Sequence, residues 1–203
     1  MASSVTPAHE QALDELQQSL LAARPRHLGQ AEGDEAFRQH KLLASAIHSA
    51  TRLHKFKQES ETDAWIRYFE SYFPRGRNDP QDGRMLFDDW RTSLLKDNTP
   101  GPRLPITHGQ SHLHWQRDAG GRLCINLEDM WNDFEQSVAR FIDELRGDPG
   151  RRAVVLRRWR ERTWNIDEFV PTGTAWVGAT VMEMNVSAAQ SVSAISRPLP
   201  PPE

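Results

Sequence analysis

The chain has 203 residues, of which 37% are hydrophobic and 26% charged, and a formal net charge of −3. That length builds one sizeable core, or one domain with a tail. The charge gives no global pull toward nucleic acid or anionic lipid, and no apolar run reaches the roughly 20 residues that cross a bilayer, so a membrane protein is not expected.

Met1 to Glu10 shows no basic segment followed by an apolar one, and no secretory signal is expected. Thr6 before Pro7 reads as a capped helix start, with Leu13, Leu16, Leu20 and Ala23 on one stripe ending at Arg24-Pro25. After the linker Pro25 to Gly33, Asp34 opens a longer helix carrying Phe37, Leu43, Ile47, Ala50 and Leu53 near one face. Its other face holds Arg38, Lys41, Arg52, Lys55 and Lys57 with His40, His48 and His54, and reads as solvated. Ser60 to Asp63 resembles a capping box leading into Trp65, Tyr68, Phe69 and Tyr72 at i, i+3, i+4 and i+7, a stripe that reads as core. The polar loop from Phe73 to Pro80 contains Arg75 and Arg77. Asp82 then caps a fourth helix bearing Leu86, Trp90 and Leu94, and the prolines at 100, 102 and 105 impose an extended path beyond it.

Residues 111–127 read as a β-hairpin: alternation over 111–117, turn chemistry at Asp118-Ala119-Gly120-Gly121, and alternation again from Arg122 to Leu127. Asn126 is expected to cap the next helix, 127–146, through its side-chain oxygen, and Met130, Phe134, Val138, Phe141 and Leu145, widened by Trp131 and Ile142, give that helix a broad apolar face. Gly147-Asp148-Pro149-Gly150 turns the chain into a helix over 151–164 with six arginines and one acid. Asn165 to Glu168 marks a short turn. A third strand is expected at 174–186, and the proline-ended stretch from Ser187 to Glu203 reads as mobile. The expected fold is therefore mainly α, α+β by content, with about six helices around one core and a β-hairpin inserted before the long C-terminal helix. Residues 1–171 form the domain in this reading, and 172–203 a C-terminal extension.

Three constellations carry chemistry. His112 and His114 project from one face if 111–117 is a strand, and with His108, or a carboxylate such as Asp118 or Glu128, they are candidate ligands for a divalent metal that would activate water in a hydrolase. Arg103 and His108 form an Arg-x4-His pair that resembles the pair used by HEPN ribonucleases. The resemblance covers six residues and implies charge stabilisation by Arg103 and 2′-hydroxyl activation by His108; Leu104 and Pro105 depart from the helical setting of that family. Arg151, Arg152, Arg157, Arg158, Arg160 and Arg162 form the densest charge cluster, able to take a protein partner, or nucleic acid with Trp159, Trp164, Lys55, Lys57, Arg75 and Arg77 alongside. They are expected chiefly to pair with Glu128, Asp129, Asp133, Glu135, Asp143 and Glu144 on the preceding helix.

There is no phosphate-binding loop, dinucleotide glycine fingerprint, nucleophile elbow or Cys-x2-Cys pair. The lone Cys124 cannot close an internal disulfide and suits the cytoplasm. The reading is of a cytoplasmic, non-enzymatic interaction or assembly subunit, with a protein partner or homo-oligomer and no cofactor; a metal-dependent hydrolase and a nucleic-acid-binding or HEPN-like protein are the alternatives.

Overall fold

The computed structural model describes residues 5–26, 28, 34–74, 80–97 and 101–164, without the side chains of residues 34 and 162–164. The loop arginines Arg75 and Arg77, the turn at 165–168, the strand expected at 174–186 and the whole of 172–203 lie outside the described residues.

Six α-helices dominate the described residues: α1 (Pro7–Leu21), α2 (Asp34–His54), α3 (Glu61–Tyr72), α4 (Pro80–Met85), α5 (Leu127–Gly147) and α6 (Pro149–Trp164). α4 runs straight into a π-helical segment, Leu86–Asp97. A two-stranded parallel sheet, β1 (Ile106–Thr107) and β2 (Ile125–Asn126), completes the fold, which is mainly α with a small β part as expected. The predicted caps of α1 and α3 form: the Thr6 side chain accepts from the His9 amide, and Ser60 Oγ accepts from the Asp63 amide at 3.0 Å while donating to its carboxylate at 2.7 Å. The fourth helix starts earlier than expected, at Pro80, so Asp82 sits in its first turn and pairs with Arg117 instead of capping.

The aromatic stripe of α3 is core, and so is the wide face of α5, with Met130, Trp131, Phe134, Val138, Phe141, Ile142 and Leu145 all buried. α5 packs against α1, α2, α3 and α6, which accounts for the width of that face. α2 departs from its expected amphipathicity. His40, His48 and His54 are buried, not solvated, because α2 packs against α1, α3, α5, α6 and the π-helical segment. A neutral imidazole is small and needs only local hydrogen bonds to be buried, whereas a lysine ammonium is not so accommodated.

The hairpin keeps its turn but shortens its first arm. Gly121 donates to the Asp118 carbonyl at 2.9 Å with φ of 76°, and Arg117 and Leu123 form an antiparallel bridge. Ser111–Leu113, however, is a 3₁₀ turn, and the strand reading of 111–117 fails there because Trp115 takes φ of 60°, left-handed backbone that ends the extended run. The second arm serves two neighbours. Cys124 donates to Gln116 on one side, while Leu123 and Ile125 donate to the carbonyls of Arg103 and Pro105 on the other. The proline-ruled path thus becomes a strand partner. Asn126 is wholly buried and does not cap α5: its Oδ1 accepts from the Gln110 amide at 3.0 Å, and its Nδ2 donates to Glu128 and Asp129 at 2.8 and 2.7 Å. It ties the 107–110 loop to the helix start.

Candidate functional site

The arginines of α6 divide into two sets by helical face. On the inner set, Arg152 is buried and donates to the carbonyls of Leu145 and Arg146 at 3.2 and 3.0 Å, closing the C-terminus of α5. Arg158 donates to the carbonyls of Leu53 and Lys55, closing the end of α2. Arg151 pairs with Glu144 and donates to Tyr72 Oη at 3.0 Å. Helix C-termini present unsatisfied carbonyls and a partial negative charge, so a guanidinium there satisfies both.

The pairing expected between α5 and α6 holds for Glu144 and Arg151. The other α5 acids turn elsewhere: Glu128 to the Gly109 amide, Asp129 to Asn126, Asp133 to His114, Glu135 to Arg24 and Asp143 to Arg146. The α5 acids point around the helix, toward α1 and the hairpin, so a continuous zipper with α6 is geometrically out of reach.

The outer set faces solvent. Arg157 and Arg160 are exposed and, with His9, Ala153, Leu156 and Glu161, line a cavity of about 380 Å³ between α1 and α6. Its charge-bearing lining is two arginines and a histidine against one carboxylate, and Glu161 lies 3.7 Å from Arg157. Leu156 forms a buried apolar floor. His9 is positioned by the first turn of α1, where its Nδ1 lies 3.1 Å from Thr6 Oγ1.

The structure separates the three candidate metal histidines. His112 is exposed on the 3₁₀ turn and His108 half-buried after β1, whereas His114 is buried. Both nitrogens of His114 are engaged: Nδ1 accepts from the Asn126 amide at 3.1 Å, which places the proton on Nε2, directed at Asp133 Oδ2 at 3.1 Å. That carboxylate oxygen also accepts from Trp115 Nε1 at 2.8 Å. Among the described residues no three His, Cys, Asp or Glu side chains gather as a metal-holding group. Arg103 sits in a turn, not on a helix, with its guanidinium bound twice to Asp89 at 2.5 and 3.1 Å. Cys124 is buried.

A second polar cluster, which the sequence reading passed over, surrounds the end of α2. His54 stands against Tyr72 at a ring separation of 5.0 Å and against Arg67, whose Nη1 lies 2.7 Å from its Nε2. Burial, then the positive charges of Arg67, Arg151 and Arg158, lower its pKa from 6.5 to about 2, so the imidazole is neutral. Glu59 grips Arg67 through Nε and Nη2 at 2.7 and 2.6 Å, a contact that holds its carboxyl below the usual range. His40 and His48 are likewise engaged, by Trp90 Nε1 at 3.3 Å and Arg91 at 2.9 Å. Burial lowers the pKa of His40 to about 4.

No protein-family model, curated protein or solved structure matches the chain. No helix among the described residues is long and apolar enough to cross a membrane.

Proposed function

We propose that this protein acts by binding, as a cytoplasmic interaction or assembly subunit whose α1–α6 face takes an acidic segment of a protein partner or of a second copy. The observation that carries this reading is the cavity lined by His9, Arg157 and Arg160. Its volume falls in the range that accommodates a specific ligand group, and guanidinium forks suit carboxylates in paired hydrogen bonds. The inner arginines differ in placement: Arg152 and Arg158 cover helix-end carbonyls of their own chain, whereas Arg157 and Arg160 are exposed beside the cavity. The lone, buried Cys124 suits a reducing compartment.

The test is fluorescence anisotropy with a labelled Glu- and Asp-rich peptide and a neutral scrambled control at low salt. The expected result is binding of the acidic peptide alone, weakened at least about tenfold, or ~1.4 kcal/mol, in the Arg157→Glu, Arg160→Glu double variant. Affinity for the acidic peptide unchanged by that double reversal sinks the proposal. Sedimentation across a concentration series reports whether the partner is a second copy.

A further inference from the structure

On a different face, the turn joining α2 to α3 carries a feature that the protein-partner reading does not use. Phe56 is one of the two large hydrophobic residues left exposed among the described residues, at 57%. Single exposed apolar residues are ordinary, but this one is built in place. Its amide donates to Glu59 Oε2 at 3.0 Å and its carbonyl accepts from the Glu59 amide at 3.3 Å, closing the turn. The Arg67 guanidinium lies 3.9 Å from the ring centroid, and that guanidinium is itself fixed by Glu59 and by the His54 carbonyl at 3.2 Å. One ring face is therefore backed by a rigid cation while more than half of the residue stays exposed. Lys55 and exposed Lys57 flank it, and Arg158 reaches the Lys55 carbonyl from α6.

We infer that Phe56, Lys55 and Lys57 form a stacking platform for single-stranded nucleic acid. A flat aromatic surface held by its own scaffold stacks a base without first paying the entropy of ordering the ring. Every base offers a π-face to such a ring, so the platform tolerates any sequence, oligothymidylate included. Lysines on either side meet the phosphates that precede and follow a stacked base.

The experiment is anisotropy titration of a labelled oligothymidylate of roughly 10–16 nucleotides with the full chain at several salt concentrations. Phe56→Ala is expected to lower affinity about 5- to 150-fold and Phe56→Trp to preserve or raise it, with indole fluorescence quenched on binding. Lys55→Ala with Lys57→Ala should reduce the slope of log affinity against log salt by about 1.4, two phosphates at ~0.7 each. The Arg157→Glu, Arg160→Glu variant, which tests the α1–α6 face, should retain most of the oligonucleotide affinity. Absence of binding at low salt, binding indifferent to Phe56→Ala, or loss confined to the Arg157 and Arg160 variant would each overturn the assignment. Because Phe56 is exposed, unchanged circular dichroism and urea midpoints in its variants separate lost binding from lost fold.

Discussion

The clamp made by Asp133 gives the sharpest quantitative prediction. Asp133 is 5% exposed, and its Oδ2 accepts from both His114 Nε2 and Trp115 Nε1, at 3.1 and 2.8 Å. The substitution Asp133→Ala removes the acceptor and strands two donors, each costing about 1–3 kcal/mol when buried without a partner. His114 is fully enclosed and takes the upper part of that range, whereas half-buried Trp115 can recruit water and takes the lower. The sum is about 2–4 kcal/mol, a large share of the ~5–15 kcal/mol that holds a typical domain together. Urea unfolding should show a midpoint lowered by roughly 1–2 M at an unchanged slope. His114→Ala should cost a similar amount, and the double variant clearly less than the sum, because the same bond is removed in both singles. A loss below about 0.5 kcal/mol in Asp133→Ala, or strict additivity of the two substitutions, would show that the clamp does not hold the hairpin to α5.

Three further outcomes follow from the same structure. Arg158→Ala is expected to cost about 1–3 kcal/mol by uncovering the carbonyls at the end of α2, while Arg157→Ala changes stability by less than ~0.5 kcal/mol; equal effects in urea unfolding would refute the division of α6 into inner and outer arginines. Stability should fall as pH drops below about 6.5, since the unfolded chain protonates His54 and His40 there while the folded one, with pKa values of about 2 and about 4, does not. The slope reaches at most about 1.4 kcal/mol per pH unit for each imidazole, with the His40 share ending near pH 4; urea midpoints at neutral and mildly acidic pH measure it, and a slope unaltered in His54→Gln would contradict the assignment. Gly101→Ala should cost about 3 kcal/mol or more, because a Cβ there meets the Asp89 Cα and carbonyl oxygen at 2.6 and 2.7 Å; thermal denaturation indistinguishable from the parent chain would show that this close approach relaxes freely.

How much of this was legible in the sequence depended on how local the cause was. The caps at Thr6 and Ser60, the aromatic stripe of α3 and the wide apolar face of α5 follow from residues within a turn or two of each other, and they stand as expected. The turn at Asp118–Gly121 was equally local. The parallel pairing of Ile106 with Ile125 was not, since two strands 19 residues apart are brought together by the intervening loop and by Asn126, whose side chain bonds both to Gln110 in the loop after β1 and to the start of α5. The α2 histidines were misread because they were grouped with lysine and arginine. His40, Ala44 and His48 recur at fourfold spacing and Thr51 follows at i+11, so a buried polar stripe was visible if imidazole is counted as a neutral group. The candidate cavity was half visible: Ala153, Arg157, Arg160 and Glu161 share one helical face, but His9 comes from the far end of the chain, and nothing near Thr6 announces it.

The same geometry explains why an arginine-rich helix belongs in a chain of net charge −3. The C-termini of three helices receive arginines: Arg158 and Arg67 reach the end of α2, Arg140 donates to the Tyr72 and Phe73 carbonyls at the end of α3 at 3.0 and 2.9 Å, and Arg152 closes α5. Helix ends brought close together concentrate carbonyl oxygens and partial negative charge in one region. A lysine could neutralise that charge, but a planar guanidinium can bind two carbonyls at once while its stem packs against the core. Arginine density on α6 is therefore a consequence of helix packing for Arg152 and Arg158, and composition alone would overstate its value as evidence for nucleic acid. Arg157 and Arg160 are placed differently, exposed with His9 around a cavity instead of over a helix end, with Glu161 3.7 Å from Arg157. The charge of α6 is thus divided by position, and only its exposed part can be substituted without uncovering a helix end.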